Sequence, residues 1–286
     1  MNKILTILVL YGNNLNESKT FLSWQKFHNL LQIPHRLLIY NNDNSINIPQ
    51  SVDYELINST TNDKLQKPYS FALQTAIEEN FDFLMLLDQD TELTEDYFLE
   101  LNDGLDKEIA AFVPICVHGE KQISPFFYNA KLGNYFFSKP AKSCITANCV
   151  SAFNACAVFS VFALEKIGGF SEMFDLDFID NYIFYRLHRS NYKIKILNTK
   201  LQHNLSLLDY KTLKLSRYKK IIDAERKFAK ILGKKAEFVL SFWLVLRFLK
   251  QIIVSEKRRF AKITFSRINS NAEYELDLSS DCLIYQ

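Results

Sequence analysis

The sequence predicts an α/β domain with a mostly parallel sheet, followed by a helical, basic C-terminal extension. Three observations carry this. Short apolar runs alternate with stretches of helical spacing through the first half, the order of βα units. One run, FDFLMLLDQDTEL at residues 81–93, is apolar on both faces, as a strand inside a parallel sheet must be, and then ends in two aspartates one residue apart. Between residues 211 and 267 stand 17 of the 34 lysines and arginines, against four acids.

The elements follow in order. Residues 4–11 read as a buried first strand, because the apolar run of MNKILTILVLYGNN is too short for a signal peptide. Residues 22–31 have helical spacing, and 35–40 form a second strand closed by the turn-forming Asn41, Asn42, Asp43, Asn44 and Ser45. A third strand is expected at 54–57. A helix is expected at 70–79 with Phe71, Leu73, Ala76 and Ile77 on its buried face. The strand at 83–87 is central, and a helix at 94–105 opens with a Thr94 cap and acids in its first turn. Residues 110–162, aromatic and poor in charge, read as strands and loops covering the cleft at the carboxyl ends of the strands, where ligands of such sheets sit. A helix ending near residue 166 is stopped by Gly168 and Gly169. Residues 177–190 are helical, 192–197 a strand, and about 209–259 helical again. The boundary between the two parts is placed at 210/211.

Bulk properties narrow the function. The 286 residues are 48% hydrophobic and 23% charged, enough to bury a core and unlike a disordered chain. A net charge of +2 argues against a general nucleic-acid binder. Five cysteines without a CxxC pair read as reduced thiols in a cytosolic protein. No run reaches the ~18–20 apolar residues that span a bilayer.

Asp88 and Asp90 project from one strand tip. Two carboxylates in one place repel unless a cation lies between them. Oxygen ligands of this kind suit Mg²⁺ or Mn²⁺, which bridge carboxylates to a substrate's phosphates. The plainer alternative is a solvated loop or a cap for the helix at 94–105. A dehalogenase-type phosphatase also places such a pair after an apolar strand, but wants Thr or Val four residues after the first Asp. Glu92 stands there.

Taken together, YGNN, IYNNDNS, YSFALQTAIEEN, FDFLMLLDQDT, the long stretch from NACAVFSV through IGGFSEMFDLDFIDNYIFYRLHRSNYKIKIL, and LQHNLS occur in an order that resembles family 2 glycosyltransferases of the GT-A fold (Rossmann-like nucleotide-diphospho-sugar transferases). The rhamnosyltransferase-like branch is the nearest match, and the resemblance covers roughly residues 4–218. It implies Asp90 as direct ligand of Mn²⁺ or Mg²⁺, Asp88 facing the donor ribose or assisting the metal, and His203 completing the metal site. Asp180, six residues before Arg186, becomes the catalytic base; the bland reading is a helix-surface acid paired with Arg186 or His188. Asp177 stands one helical turn before Asp180, on a similar face. Tyr11 falls with the donor-binding residues. Asn41, Asn42 and Asp43 fall at the nucleobase, although the family has Asp where Asn41 stands. Arg217 and Tyr218 resemble an element near the diphosphate, and Gly168, Gly169 and Phe170 match a turn that shapes the acceptor side. Asn154 lies in the donor-pocket wall, with a role in shape.

The implied reaction is metal-dependent transfer of a sugar, with inversion, from a nucleotide-diphosphate donor to a hydroxyl of a glycan or lipid-linked glycan. The implied setting is bacterial surface polysaccharide synthesis in the cytoplasm. The basic, apolar tail fits peripheral contact with the inner-membrane surface, packing on the domain, or homo-oligomerisation. Asn41 and Ile179, which departs from the family's acidic pair, keep open a scaffold that only binds sugar nucleotide. The phosphatase remains the other alternative.

Overall fold

The computed structural model describes residues 2–132, 138–203 and 213–268. The chain divides into two compact units, residues 1–127 with 140–204, and 128–139 with 205–286. The expected boundary at 210/211 lies outside the described residues.

The strands are β1 (Ile4–Leu10), β2 (His35–Asn41), β3 (Glu55–Asn58), β4 (Phe83–Leu87), β5 (Thr91–Glu92), β6 (Ile109–His118), β7 (Lys121–Ser124), β8 (Phe126–Phe127), β9 (Lys139–Pro140), β10 (Cys144–Thr146), β11 (Val150–Ser151), β12 (Ala157–Ser160) and β13 (Lys193–His203). The helices of the first unit are α1 (Lys19–Phe27), α2 (Gln66–Glu78), α3 (Glu95–Gly104), α4 (Val161–Lys166) and α5 (Ile179–Arg189). The main sheet runs β10-β13-β6-β12-β4-β1-β2-β3, with β5 on β13 and β7 on β6. The β4-β1-β2-β3 half is parallel, as the alternating pattern requires; β12 enters antiparallel between β4 and β6. Every residue of β1 and β4 is buried, so their apolar runs are the requirement of strands covered on both faces.

Several elements differ from expectation. The stretch 110–162 does more than cover a cleft: β6 and β12 are interior strands, buried through nearly their whole length. Helix α2 starts at Gln66 and buries Tyr69, Ala72, Leu73 and Ala76, so Phe71 is 43% exposed. Both faces satisfy helical spacing, and the one chosen is the one that packs on β1 and β4. Thr94 occupies the cap position of α3, but its hydroxyl makes no cap bond; Glu95 and Asp96 remain at the positive end of the helix dipole. Helix α5 starts at Ile179, because Phe178 takes a left-handed conformation with φ +64°. Asp177 therefore lies outside the helix instead of one turn before Asp180 on the same face. β13 runs on to His203, past an irregularity between Ile196 and Lys200.

The second unit holds α6 (Leu215–Leu232), α7 (Lys234–Ile253) and α8 (Arg258–Ser266), with Gly233 at φ +104° making the turn between the first two. Its core is Tyr218, Ile222, Ala229, Ala236, Leu240, Leu244 and Phe260. Within it, Arg247 makes a two-pronged bond to buried Glu225 at 2.8 Å on each arm.

Candidate functional site

β1 and β2 end level, since Leu10 pairs with Asn41, and β4 ends two residues short of them, with Leu87 beside Leu8. Tyr11, Asn42, Asp43 and the Asp88–Asp90 stretch therefore emerge along one edge of the sheet, the expected place for a ligand. The residue between the two aspartates fastens this edge. Gln89 Oε1 accepts the Tyr11 N–H at 2.9 Å, and its Nε2 donates to the Tyr11 carbonyl at 3.2 Å. From the start of α1, the Ser18 hydroxyl donates to the Gln89 carbonyl at 3.0 Å, and Thr20 Oγ1 to that of Thr91 at 2.7 Å.

β5 pairs with the end of β13, placing His203 opposite Thr91. His203 Nδ1 lies 3.3 Å from Asp88 and 3.9 Å from Asp90. The Thr91 hydroxyl is 2.7 Å from both Asp88 Oδ1 and His203 Nδ1. The hydroxyl donates to the carboxylate and bridges it to the imidazole. Burial raises the Asp88 carboxyl above its ordinary value, opposed by the Thr91 bond. Burial, and then the Asp88 charge, push Asp90 up to about 7. Burial lowers His203, opposed by Asp90, which keeps the ring neutral and able to ligate. One ligand atom from each of Asp88, Asp90 and His203 lies within 4.8 Å of the others. Two carboxylates and an imidazole fit a divalent cation, with the nitrogen favouring Mn²⁺ over Mg²⁺.

A testable consequence follows from the raised carboxyls. Between about pH 4, the unfolded value, and about 7, the folded state holds a proton that the unfolded chain has released. Stability of the metal-free protein therefore falls as pH climbs through that window. Mn²⁺ restores it only where the carboxylates are ionised, so its Tm increment, read by scanning calorimetry, will be larger at about pH 8 than at about pH 5. Equal increments would place the ion elsewhere.

The other expected residues divide. Asn41 donates from Nδ2 to the Ile46 carbonyl (2.9 Å) and to Asn58 (3.0 Å), and accepts the Asp43 N–H. Asn42 donates to the Lys64 carbonyl (2.6 Å) and accepts the Asp63 N–H (3.0 Å). Both are buried, and their amides shape the loop; of the three residues expected at a nucleobase, Asp43 alone is partly exposed. Bonds from the Ser45 hydroxyl and N–H hold its carboxyl below the ordinary value. Arg217 lies on α6 of the second unit, where the Tyr218 hydroxyl is bonded inside the helical core to Thr264 and Gln251.

Asp180 sits in the first turn of α5, accepting the Asn181 N–H at 2.8 Å. Burial, with a smaller push from Asp177, raises it to about 6. Among the described residues it forms no ion pair; His188 bonds to the Ala147 carbonyl instead. The turn before α5 is anchored on α2. Gly169 is left-handed at φ +67°, a Cβ there would lie 2.9 Å from Leu73, and Gln66 donates to the Phe170 carbonyl at 3.0 Å. Buried Tyr69 on α2 relates the two sites: burial first, then the charges of Asp88 and Asp180, hold its hydroxyl far above its ordinary value. The charges of Asp88 and Asp180 thus both act on one buried hydroxyl.

Sequence reasoning missed Gln89, Thr91 and Tyr69, and gave Asn154 only a role in shape. Thr91 was signalled by adjacency to the aspartates; Tyr69 looks like any core aromatic. Asn154 is 5% exposed, and among the described residues neither its amide oxygen nor its nitrogen has a hydrogen-bond partner. Next to it, the Phe153 ring lies 5.5 Å from that of His203. A buried unpaired amide costs roughly 1–3 kcal/mol. Asn154→Leu will therefore raise stability in urea unfolding by about that amount; a loss of stability would show that the amide is satisfied.

No protein-family model matches the chain, and no curated protein matches it. Solved structures do. A mannosyltransferase from Pyrobaculum calidifontis, in complex with GDP-Man and Mn²⁺, superposes with a TM-score of 0.50 at 11% identity, over 93% of this chain and 84% of that one. TarS 1–349 of S. aureus gives 0.48 at 11%, over 92% and 90%. The catalytic domain of Drosophila β1,4-galactosyltransferase 7, in complex with xylobiose, gives 0.43 at 11%, over 70% and 67%. Likeness at this identity concerns the fold. The chain has the GT-A fold of nucleotide-sugar glycosyltransferases, with a helical C-terminal segment. Within that fold, the cluster of Asp88, Asp90 and His203 stands at the end of the central strand.

Proposed function

We propose that the protein is an inverting, metal-dependent glycosyltransferase. It moves a sugar from a nucleotide-diphosphate donor to a hydroxyl of a glycan or lipid-linked glycan in bacterial surface polysaccharide synthesis. The observation that carries the reading is the Asp88, Asp90 and His203 cluster at the carboxyl end of β4; half-buried Asp180, whose charge acts with that of Asp88 on the Tyr69 hydroxyl, supports it. The rhamnosyltransferase-like string of motifs supports the acceptor class and the setting.

Asp90, Asp88 and His203 hold the cation, with Thr91 orienting the last two. Mn²⁺ or Mg²⁺, when bound, neutralises the donor diphosphate and stabilises it as a leaving group. Tyr11, 55% exposed and with its backbone clamped by Gln89, offers a ring face to the base. Asp43 offers acceptor oxygens beside it. Asp180 takes the proton of the acceptor hydroxyl as that oxygen attacks opposite the departing diphosphate, which inverts the anomeric carbon. A carboxyl raised to about 6 is ionised at neutral pH yet basic enough to accept that proton.

Calorimetric titration with UDP-, dTDP- and GDP-sugars, with and without Mn²⁺, tests the reading. One donor binding only with metal is expected. Binding of none, under either condition, reduces the chain to a scaffold of the same fold.

A further inference from the structure

We propose that α7 and α8 form a docking surface for an anionic phospholipid bilayer. No helix among the described residues is long and apolar enough to cross a membrane, so the contact is one of lying on the surface. Along α7, Phe238, Val245, Leu246, Leu249, Ile252 and Ile253 recur at helical spacing on one side and are exposed, Phe238 by 76% and Ile253 by 80%. A stripe of this kind on a water-facing helix calls for an apolar partner.

Charge decides which partner. Lys234 and Lys235 stand at the start of α7 and Lys250 near its end, with Arg258 and Lys262 on α8, all exposed. Of the described acids of α6 and α7, Glu225 is buried against Arg247, Asp223 is bound by Arg267 at 2.6 Å, and Glu237 is half-buried. Among the described side chains of α6, α7 and α8, no exposed charged group is an acid. A second copy of this chain meeting the stripe would bring cations against cations. A bilayer carrying anionic headgroups satisfies the apolar stripe and its cationic border together.

The proposal rests on the helical unit alone, so it can fail with the sugar-transfer reading intact, and the reverse. Its test is co-sedimentation of the full-length protein with phosphatidylcholine vesicles, pure or containing about 30% phosphatidylglycerol, together with sedimentation velocity without vesicles. Binding to the anionic vesicles alone, released by about 1 M salt, is expected. The combined Lys234→Glu, Lys235→Glu and Lys250→Glu variant will partition about a hundredfold more weakly. A second variant, Phe238→Ser with Leu249→Ser and Ile253→Ser, will also release the protein while its circular dichroism is unchanged. Equal partition onto both kinds of vesicle, or onto neither, overturns the proposal. An oligomer that the serine variant dissolves, without any vesicle binding, overturns it in favour of self-association.

Discussion

Asp90→Ala will abolish metal-dependent donor binding, lowering affinity in the presence of Mn²⁺ by about a hundredfold or more, beyond the loss that follows removal of an outer-shell partner of a metal ligand. The expectation rests on position. Asp90 shares with His203 and Asp88 a space in which its own charge is opposed by burial and by the neighbouring carboxylate. Removing it relieves that repulsion, so the same variant will have a higher Tm than the wild type when both are metal-free at about pH 8, and will gain nothing from Mn²⁺. This combination, more stable and less able to bind, separates a ligand from a structural residue, whose loss lowers both. Donor titration and scanning calorimetry on one preparation read both arms. Unchanged affinity would remove Asp90 from the metal site.

Asp180→Asn will leave donor binding within about twofold of wild type and reduce turnover with an acceptor by roughly a hundred- to ten-thousandfold, the range carried by a positioned general base. The substitution keeps the shape and removes only the ability to take a proton. In the wild type, kcat/KM will rise with pH through about 6 and then level, because the base must be ionised. That limb will be missing from the variant's residual activity. Folding is controlled for by the sign of the same shift. A carboxyl raised by burial weakens the fold as pH rises from about 4 to about 6, so the amide will be at least as stable as the wild type above that window. Full turnover in the variant would place the base elsewhere. Phosphate release lost at Asp88, with Asp90 and Asp180 dispensable, would instead describe a phosphatase.

Much of the fold is legible in local pattern. A run such as FLMLL has no polar face, so it must be covered on both sides, and a strand covered on both sides lies inside a sheet. Aspartates at the end of such a strand cannot follow it into the core, which puts them at the edge where βα sheets take ligands. The helix before β4, the Gly-Gly stop, and the acids opening α3 are written in spacing and composition in the same way. These features depend on residues within a few positions of one another, where periodicity and burial are one fact.

What lay beyond reading depended on which distant segments pair. β12 carries nothing to say that it runs antiparallel between β4 and β6, and nothing in the spacing of α2 tells that Tyr69 and Ala72 are buried and Phe71 is not. Asn41 and Asn42 look like exposed turn residues, yet neighbouring loops close over both amides. Thr91 becomes the link between Asp88 and His203 only because β5 pairs with β13, across 112 positions of chain. By itself, the sequence determined the parallel strands β1, β2 and β4, the burial of the last, and the carboxylates at its tip, since local spacing and the cost of burying charge leave little choice there. The tertiary structure alone decided what those carboxylates face, because pairing across a hundred residues is settled by the whole core and not by any segment of it.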